Sequence, residues 1–192
     1  MSYGGKVILC GDPEVGKSSL LAQYVENRFG DQYQPTLGAN FLIKEINMHK
    51  IVDKISIKDP NLERDIREGG FKLYFWDIGG QQDKLFANKY YFVQAIGAMV
   101  VFSLDNKESF DSIDFWVSKL NELSGDIPFI IVGNKSDINR EVPKEKVEKK
   151  LIELGVQYIE TSAKCNENVE LAFERLCIQV LNSLKLELNN LK

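Results

Sequence analysis

Short apolar runs alternate along the chain with longer segments of helical periodicity. The apolar runs are rich in Val, Ile and Phe, and they read KVILC, FKLYFWDI, AMVVFSLD, PFIIVGNKSD and VQYIETSAK. Each ends in polar residues or glycine, a pattern typical of buried strands in a mostly parallel sheet. The predicted helices between and after them are GKSSLLAQYVENRF, SFDSIDFWVSKLNEL, VPKEKVEKKLIELG and NVELAFERLCIQVLNSLKLEL. This alternation predicts a doubly wound α/β fold, which binds ligands beyond the carboxyl ends of its strands.

The ends of two predicted helices carry recognisable signals. Ser109 opens the segment SFDSIDFW and is expected to cap that helix. Pro143 lies near the start of the next helix and Gly155 at its end, an asymmetry that favours a helix between them.

One region breaks the alternation, at about residues 49–70. ANFLIKEINMHKI resembles a strand, and VDKISIKDPNLERDIREGG, which mixes charges of both signs, separates it from FKLYFWDI. We predict a strand–long connection–strand hairpin whose tip is partly disordered or carries a short extra strand. A tolerated surface insertion is the favoured interpretation, because long loops cost little extra closure entropy. A partner-binding element is the alternative.

Composition narrows the class of protein. The chain has 192 residues, which suits one domain, and its net charge of −4 implies no general attraction to nucleic acid or anionic membranes. Its three cysteines, Cys10, Cys165 and Cys177, have no metal-like spacing and predict no disulfide framework. With neither a signal peptide nor a membrane span in the pattern, we expect a cytoplasmic protein.

Residues 11–19, GDPEVGKSS, follow the first apolar run and fit the phosphate-binding loop pattern G-x-x-x-x-G-K-[ST]. Gly11 and Gly16 allow a tight backbone path, so that N–H groups from about residue 14 to Ser19 can face phosphate oxygens. Lys17 is expected to neutralise the β- and γ-phosphates, and Ser18 to ligate Mg²⁺.

The middle of this loop is unusual. Pro13 lacks an N–H, and the carboxylates of Asp12 and Glu14 would repel a triphosphate if they faced it. The loop therefore raises two questions: whether it binds a nucleotide, and whether it supports hydrolysis.

A second polar stretch, WDIGGQQ, follows another predicted strand. Asp77 at the strand end is placed to hold Mg²⁺ through water, and the Gly80 N–H to approach a γ-phosphate. Gln81 could orient an attacking water. Taken alone, the stretch is a weak signal, because turns rich in Asp and Gly are common and a plain turn is the alternative.

The stretches NKSD and ETSAK follow the last two predicted strands. Asp137 can pair with the N1–H and 2-amino groups of guanine, donors that adenine lacks, and Asn134 can lie on the same rim. Lys135 and Lys164 can lay their stems along the base, and the Ala163 N–H can meet the guanine O6. A turn in which Asp137 caps a helix is the alternative for NKSD.

Together with QPTLGANF, these motifs occur in the order and approximate spacing of the Ras-like small GTPases. The resemblance runs from about Lys6 to the last helix, and YQPTLGANF and NKYYFVQAIGAMVVF look most similar to the Rab branch and its relatives. It implies a P-loop NTPase G domain spanning residues 1–192. Such a domain has a mostly parallel six-stranded sheet, helices on both faces and one antiparallel strand.

The resemblance also implies roles for residues that the motifs alone do not assign. Thr36 would ligate Mg²⁺ and sense the γ-phosphate, Phe29 would stand beside the guanine, and Tyr33 would cover the phosphates. The switch regions would be about 28–40 and 79–91, ordered by the γ-phosphate and released on hydrolysis. The implied nucleotide site is Glu14, Val15, Gly16, Lys17, Ser18, Ser19, Phe29, Tyr33, Thr36, Gly80, Asn134, Lys135, Asp137, Ser162, Ala163 and Lys164. Its Mg²⁺ ligands would be Ser18, Thr36 and Asp77, with Gln81 and Lys17 catalytic.

The resemblance suggests that nucleotide binding survives the unusual loop. The side chain of Asp12 would point away from the phosphates, and that of Glu14 to solvent. Pro13 would lie close to Gln81 and could crowd it or an incoming arginine, so we expect slow but real GTP hydrolysis.

Two functions remain open from the sequence, the first favoured by Gln81 and Thr36, and a third is disfavoured. The first is a molecular switch, on with GTP and off with GDP, of the kind used in signalling and vesicle trafficking. The second is a guanine-nucleotide-locked scaffold with negligible hydrolysis, which Pro13 and Glu14 keep open. The third, an ATP-specific P-loop protein, is disfavoured by Asn134 and Asp137.

The resemblance further implies partners. Effectors, exchange factors and GTPase-activating proteins would bind through the two switch regions, and a monomer that binds no nucleic acid is expected. The terminal LELNNLK lacks the cysteine that prenylation needs. Three alternatives stay open: a carboxyl terminus trimmed of a lipidated tail, a soluble protein, or indirect membrane contact through an adaptor, which is the expectation for this sequence.

Overall fold

A computed structural model of the protein describes residues 3–30, 39–46, 60–69, 71–80 and 89–190. The strands are β1 (Tyr3–Cys10), β2 (Ala39–Ile46), β3 (Phe71–Ile78), β4 (Ala95–Ser103), β5 (Phe129–Asn134) and β6 (Gln157–Glu160). The helices are α1 (Lys17–Glu26), α2 (Pro60–Gly69), α3 (Lys107–Asp111), α4 (Ile113–Ser124), α5 (Lys144–Leu154) and α6 (Val169–Asn190).

The strands form one sheet in the order β2-β3-β1-β4-β5-β6. β2 runs antiparallel to β3, whereas the other five strands, β3, β1, β4, β5 and β6, run parallel to one another. The predicted mostly parallel α/β sheet is therefore confirmed. Because the parallel strands end at the same edge, the polar stretches that follow β1, β3, β5 and β6 meet there.

Helices cover both faces of the sheet, as predicted, because successive strand residues point to opposite sides. Val7 and Leu9 of β1 face a buried cluster that includes residues of α1 and α6. Ile8 and Cys10 face the opposite cluster, to which α3, α4 and α5 contribute. β1 therefore contributes buried side chains to both apolar layers.

The connection between β2 and β3 contains a helix that the sequence analysis did not predict. The two strands pair in register from Ala39 with Ile78 to Ile46 with Phe71, which confirms the hairpin. The helix α2 occupies residues 60–69 of this connection. The partly disordered tip or short extra strand expected here is not tested, because residues 47–59 and 70 lie outside the described residues. Pro60 at the first helical position and the ion pair between Glu63 and Arg67, one turn apart, favour this helix.

The expected cap at Ser109 was wrong. The helical segment begins earlier, at Lys107, and the Asn106 side chain accepts a hydrogen bond from the Ser109 N–H at 3.0 Å. Ser109 lies inside α3, where its hydroxyl donates to the Asn106 carbonyl at 2.8 Å. The expected end of α5 is confirmed, since Gly155 has the left-handed conformation that favours glycine (φ 64°).

The helix α6 packs along the sheet with its apolar stripe, as its periodicity predicts. Ala172, Phe173 and Leu176 are buried on this side. Among the residues that the structure describes, none of the helices combines the length and apolar character needed to cross a membrane.

Candidate nucleotide-binding site

Left-handed backbone shapes the loop between β1 and α1. The φ angles are 141° at Gly11, 63° at Glu14 and 93° at Gly16. A Cβ atom at Gly11 would lie 2.0 Å from the Val101 carbonyl oxygen, and one at Gly16 would lie 2.2 Å from Nδ2 of Asn134. Both glycines are therefore required by close approach as well as by conformation.

The Lys17 side chain returns over this loop. Its Nζ donates to the Gly11 carbonyl at 2.9 Å and to the Asp12 carbonyl at 2.8 Å. Only 6% of the residue is exposed, and burial lowers the pKa of the ammonium, opposed by the nearby Asp77 carboxylate. The ammonium is thus fixed at the carboxyl edge of the sheet, where its charge can face a phosphate.

The first residues of α1 meet the end of β3. The Ser18 hydroxyl donates to Oδ2 of Asp77, which joins the residues predicted to hold Mg²⁺. A hydroxyl and a carboxylate are the hard oxygen donors that Mg²⁺ prefers. The residues present in this part of the site therefore fit a Mg²⁺ ion.

Gly80 lies directly against the phosphate loop. A Cβ atom there would lie 2.4 Å from both the Asp12 carbonyl carbon and the Pro13 nitrogen. Because those atoms belong to the backbone, they cannot move aside as a flexible side chain could. Gly80, whose N–H is predicted to approach a γ-phosphate, is thus in contact with the loop that would hold the phosphates.

Asn134 joins three separate stretches of the site. Its Nδ2 donates to the Val15 carbonyl at 2.9 Å, and its Oδ1 accepts from the Thr161 hydroxyl at 3.1 Å and the Ala163 N–H at 3.2 Å. The residue is buried. Its amide therefore links the phosphate loop to the TSAK stretch.

Asp137 lies on the exposed rim beside this link. Its Oδ1 accepts from the Ser162 hydroxyl at 2.6 Å, and the Ser162 Oγ in turn accepts from the Cys165 N–H at 2.9 Å. Lys135 has φ 66°, and its Nζ lies 3.5 Å from Oδ1 of Asp105. The NKSD and TSAK stretches are thus brought together as predicted.

Of the unusual loop residues, Asp12 has its carboxylate directed toward α4. The Asp12 Oδ1 accepts from Nε1 of Trp116 in α4 at 2.8 Å. Pro13 and Glu14 are exposed, and Glu14 occupies the left-handed region that the loop path requires.

For several predicted site residues, the structure describes only burial or packing, or nothing. Tyr33, Thr36 and Gln81 lie outside the described residues. Phe29 is half-buried and packs against the cluster beneath α1 and α6. Ser19 is half-buried, and Lys164 is exposed.

The structure adds residues that sequence reasoning missed. Thr161 supports Asn134, Asp105 faces Lys135, and Trp116 holds Asp12. Asp105 could have been found, because it follows β4 at the same edge as the other motifs. Trp116 could not, because its helical spacing signals only core packing.

Comparison with known proteins identifies the family. The model of the Ras family matches residues 6–182. The chain belongs to the Ras family. Among similar proteins, the Ras-related protein Rab-8B of Homo sapiens is 35% identical over 191 residues, covering 98% of this chain and 84% of the relative. Rab-8A of Mus musculus is 35% identical over 193 residues, with 98% and 84% covered, and Rab-8 of Diplobatis ommata is 34% identical over 190 residues, with 97% and 82% covered.

Membership establishes the class of activity. This Ras-family protein, similar to the Rab branch, is a small GTPase that acts as a molecular switch and hydrolyses GTP. Members of the family bind GTP or GDP with Mg²⁺, as the sequence analysis expected. The nucleotide-locked scaffold is not favoured.

Proposed function

We propose that the GTPase site of this protein is the carboxyl edge formed by the loops after β1, β3, β5 and β6. Asn134 carries this proposal, because its side chain bonds at once to Val15, Thr161 and Ala163. A buried amide with this many partners fixes the phosphate loop relative to the segment beside the predicted base. The fixed spacing suits a ligand with phosphates at one end and a guanine at the other.

In this proposal, the phosphate end lies over the loop. Backbone N–H groups of Glu14, Val15, Gly16, Lys17, Ser18 and Ser19 face the phosphate oxygens, and the Lys17 ammonium neutralises charge that develops on the γ-phosphoryl group. Mg²⁺, held by Ser18, Thr36 and Asp77, would supply further charge neutralisation when bound.

The reaction is an in-line transfer to water. A water oriented by Gln81 attacks the γ-phosphorus, the bond to the β,γ-bridging oxygen breaks, and GDP and inorganic phosphate leave. The N–H of Gly80 approaches the γ-phosphate, Thr36 senses it, and Tyr33 covers the phosphates. With positioning and charge as the main contributions, we propose slow intrinsic hydrolysis.

The base end lies against NKSD and TSAK. Asp137 accepts from the guanine N1–H and 2-amino group, oriented by the Ser162 hydroxyl. The stems of Lys135 and Lys164 flank the base with Phe29, and the Ala163 backbone lies at its O6 side. The lone carboxylate of Asp137 gives this end its preference for guanine over adenine.

Competition among triphosphates tests the base end. Inosine triphosphate lacks the 2-amino group, so wild-type protein should bind it about tenfold more weakly than GTP, as expected when one charged hydrogen bond is lost. In Asp137→Ala this preference should shrink, because GTP then loses the same contact. ATP that competes as well as GTP would instead support the ATP-specific alternative.

We also propose the wider setting of the switch. The chain forms a single G domain with an insertion at about 49–70, and it works as a cytoplasmic monomer in vesicle trafficking, as similarity to Rab proteins suggests. Effectors, exchange factors and GTPase-activating proteins engage segments 28–40 and 79–91, and membranes are reached through such partners. Light scattering of GTP- and GDP-loaded protein tests the monomer, and a dimer in either state would contradict it.

A further inference from the structure

Trp116 has a hydrogen bond that its burial alone does not explain. The residue is 1% exposed and sits in the apolar cluster beneath α3, α4 and α5. A buried indole N–H needs a partner, and many acceptors could serve. Here the acceptor is a carboxylate of the phosphate loop, Asp12, 104 residues away in the chain.

Asp12 also takes part in the phosphate site through its backbone. Its carbonyl oxygen accepts from the Lys17 Nζ at 2.8 Å, and its carbonyl carbon lies next to Gly80. Whatever fixes Asp12 therefore fixes the peptide that lies between the catalytic ammonium and the first residues of the second switch.

The negative charge of the Asp12 carboxylate is unfavourable for triphosphate binding at this position. A negative charge in a phosphate loop repels a triphosphate if it faces the ligand, and repels it more than a diphosphate, which carries less charge. The bond to Trp116 turns the carboxylate toward α4.

We propose that Trp116 is a positioning residue of the GTPase site, which holds the Asp12 carboxylate away from the phosphates and fixes the Asp12–Pro13 peptide against Gly80. This inference rests on the proposed function. It adds a residue of α4 to the determinants of GTP binding relative to GDP binding.

Trp116→Phe tests the inference, because it keeps an aromatic ring but removes the N–H. Affinities for GDP and for a non-hydrolysable GTP analogue are measured with Mg²⁺, together with single-turnover GTP hydrolysis. We expect the ratio of analogue affinity to GDP affinity to fall about tenfold, as one charged hydrogen bond is released. Hydrolysis should slow by a similar factor.

A second substitution separates repulsion from packing. Adding Asp12→Asn to Trp116→Phe removes the charge, so the affinity ratio should return toward the wild-type value. A Trp116→Phe protein that keeps its ratio, or a double variant that does not recover it, would overturn the inference.

Val117→Ala is the matched control. Val117 is the next residue of α4, buried in the same cluster, and it is not part of the site. Its substitution should lower the melting temperature and leave the affinity ratio unchanged; an equal fall in the ratio would mean that loss of packing suffices, and would overturn the inference. If wild-type protein bound neither nucleotide, the proposed function would fail first.

Discussion

At the scale of single residues, the phosphate loop depends on side chains that are absent or turned away. Gly11 and Gly16 leave room for Val101 and Asn134, and Asp12 is bonded to Trp116. Pro13 and Glu14 are exposed, and neither is part of the buried core. The close approach at the two glycines and the bond of Asp12 to Trp116 explain how this sequence forms the observed loop path.

Gly16→Ala should abolish tight nucleotide binding without unfolding the protein. The new methyl group would displace Asn134, which then loses its bonds to Val15, Thr161 and Ala163. We expect GDP affinity to fall about 100-fold, which is about 2.7 kcal/mol. Titration calorimetry measures this loss.

Gly125→Ala is the control for that substitution. Gly125 also has positive φ (77°), but nothing lies within 4 Å of the position of a Cβ atom. It should cost about 1–3 kcal/mol of stability through backbone strain and leave GDP affinity unchanged. Equal loss of affinity in the two variants would contradict the role assigned to Asn134.

Pro13→Gly should accelerate intrinsic hydrolysis. Because the Pro13 nitrogen lies next to Gly80, the ring stands at the start of the segment that carries Gln81. We expect single-turnover hydrolysis of pre-loaded GTP to rise about tenfold, a barrier change of about 1.4 kcal/mol. Gln81→Leu serves as the inactive control, and an unchanged rate would show that the ring is accommodated.

At the scale of elements, an aromatic group joins α1, β3 and α6. The Tyr24 and Phe173 rings stack with centroids 3.8 Å apart, and the Phe75 ring meets both edge-on. This group packs α1, in which Ser18 is predicted to ligate Mg²⁺, against the sheet and α6.

Phe173→Ala should destabilise the protein by about 3–5 kcal/mol, because it opens a cavity where three elements meet. Leu171→Ala, two residues away on α6 but 41% exposed, should change stability by less than about 0.5 kcal/mol. Urea unfolding of both variants gives the comparison. Similar losses of stability in the two variants would mean that α6 stabilises the protein through its length rather than through the contact made by Phe173.

Replacing α2, residues 60–69, with a Gly-Ser linker of equal length should leave nucleotide affinity within about twofold. Strands β2 and β3 are already held together by their own backbone pairing. A flexible connection between them costs little closure entropy. Affinity for GDP and the melting temperature are the measurements. Loss of folding would show that α2 is part of the core structure instead of a tolerated insertion.

At the scale of the whole molecule, the three cysteines differ in their burial. Cys10 and Cys177 lie in opposite apolar layers, and Cys165 is exposed next to the TSAK stretch. Burial raises the pKa of the Cys10 and Cys177 thiols to about 12, so both stay protonated at neutral pH.

Thiol titration should therefore give one fast-reacting cysteine in the native protein and three after denaturation. Thiolate is the reactive species, and the buried thiols form it only on unfolding. Cys165→Ser should remove the fast phase. Rapid reaction that persists in this variant would contradict the burial of the other two.

The same burial predicts a pH dependence. A thiol with a raised pKa in the folded state stabilises the fold below the unfolded value of about 8.5, and this contribution is lost as pH rises toward the folded pKa. At pH 9.5 each buried thiol should lower the free energy of unfolding by on the order of 1 kcal/mol relative to neutral pH. Between pH 7 and 9.5, the free energy of unfolding of Cys177→Ala, measured with urea, should therefore fall by about this amount less than that of wild type.

The sequence by itself determined the α/β alternation, the motifs and the family, because strand and helix periodicities and the spacing of GKSS, WDIGG, NKSD and TSAK are local properties of the chain. Tertiary structure alone decided which distant side chains support the site. The partners of Asn134, the turn of Asp12 toward Trp116 and the close approach of Gly80 to the loop depend on packing between elements far apart in sequence.

The helix α2 was missed for another reason, since Pro60 and mixed charges are as typical of a loop as of a short helix until the backbone is seen. Local pattern therefore specifies the elements and their chemistry, and packing specifies the contacts through which they act together.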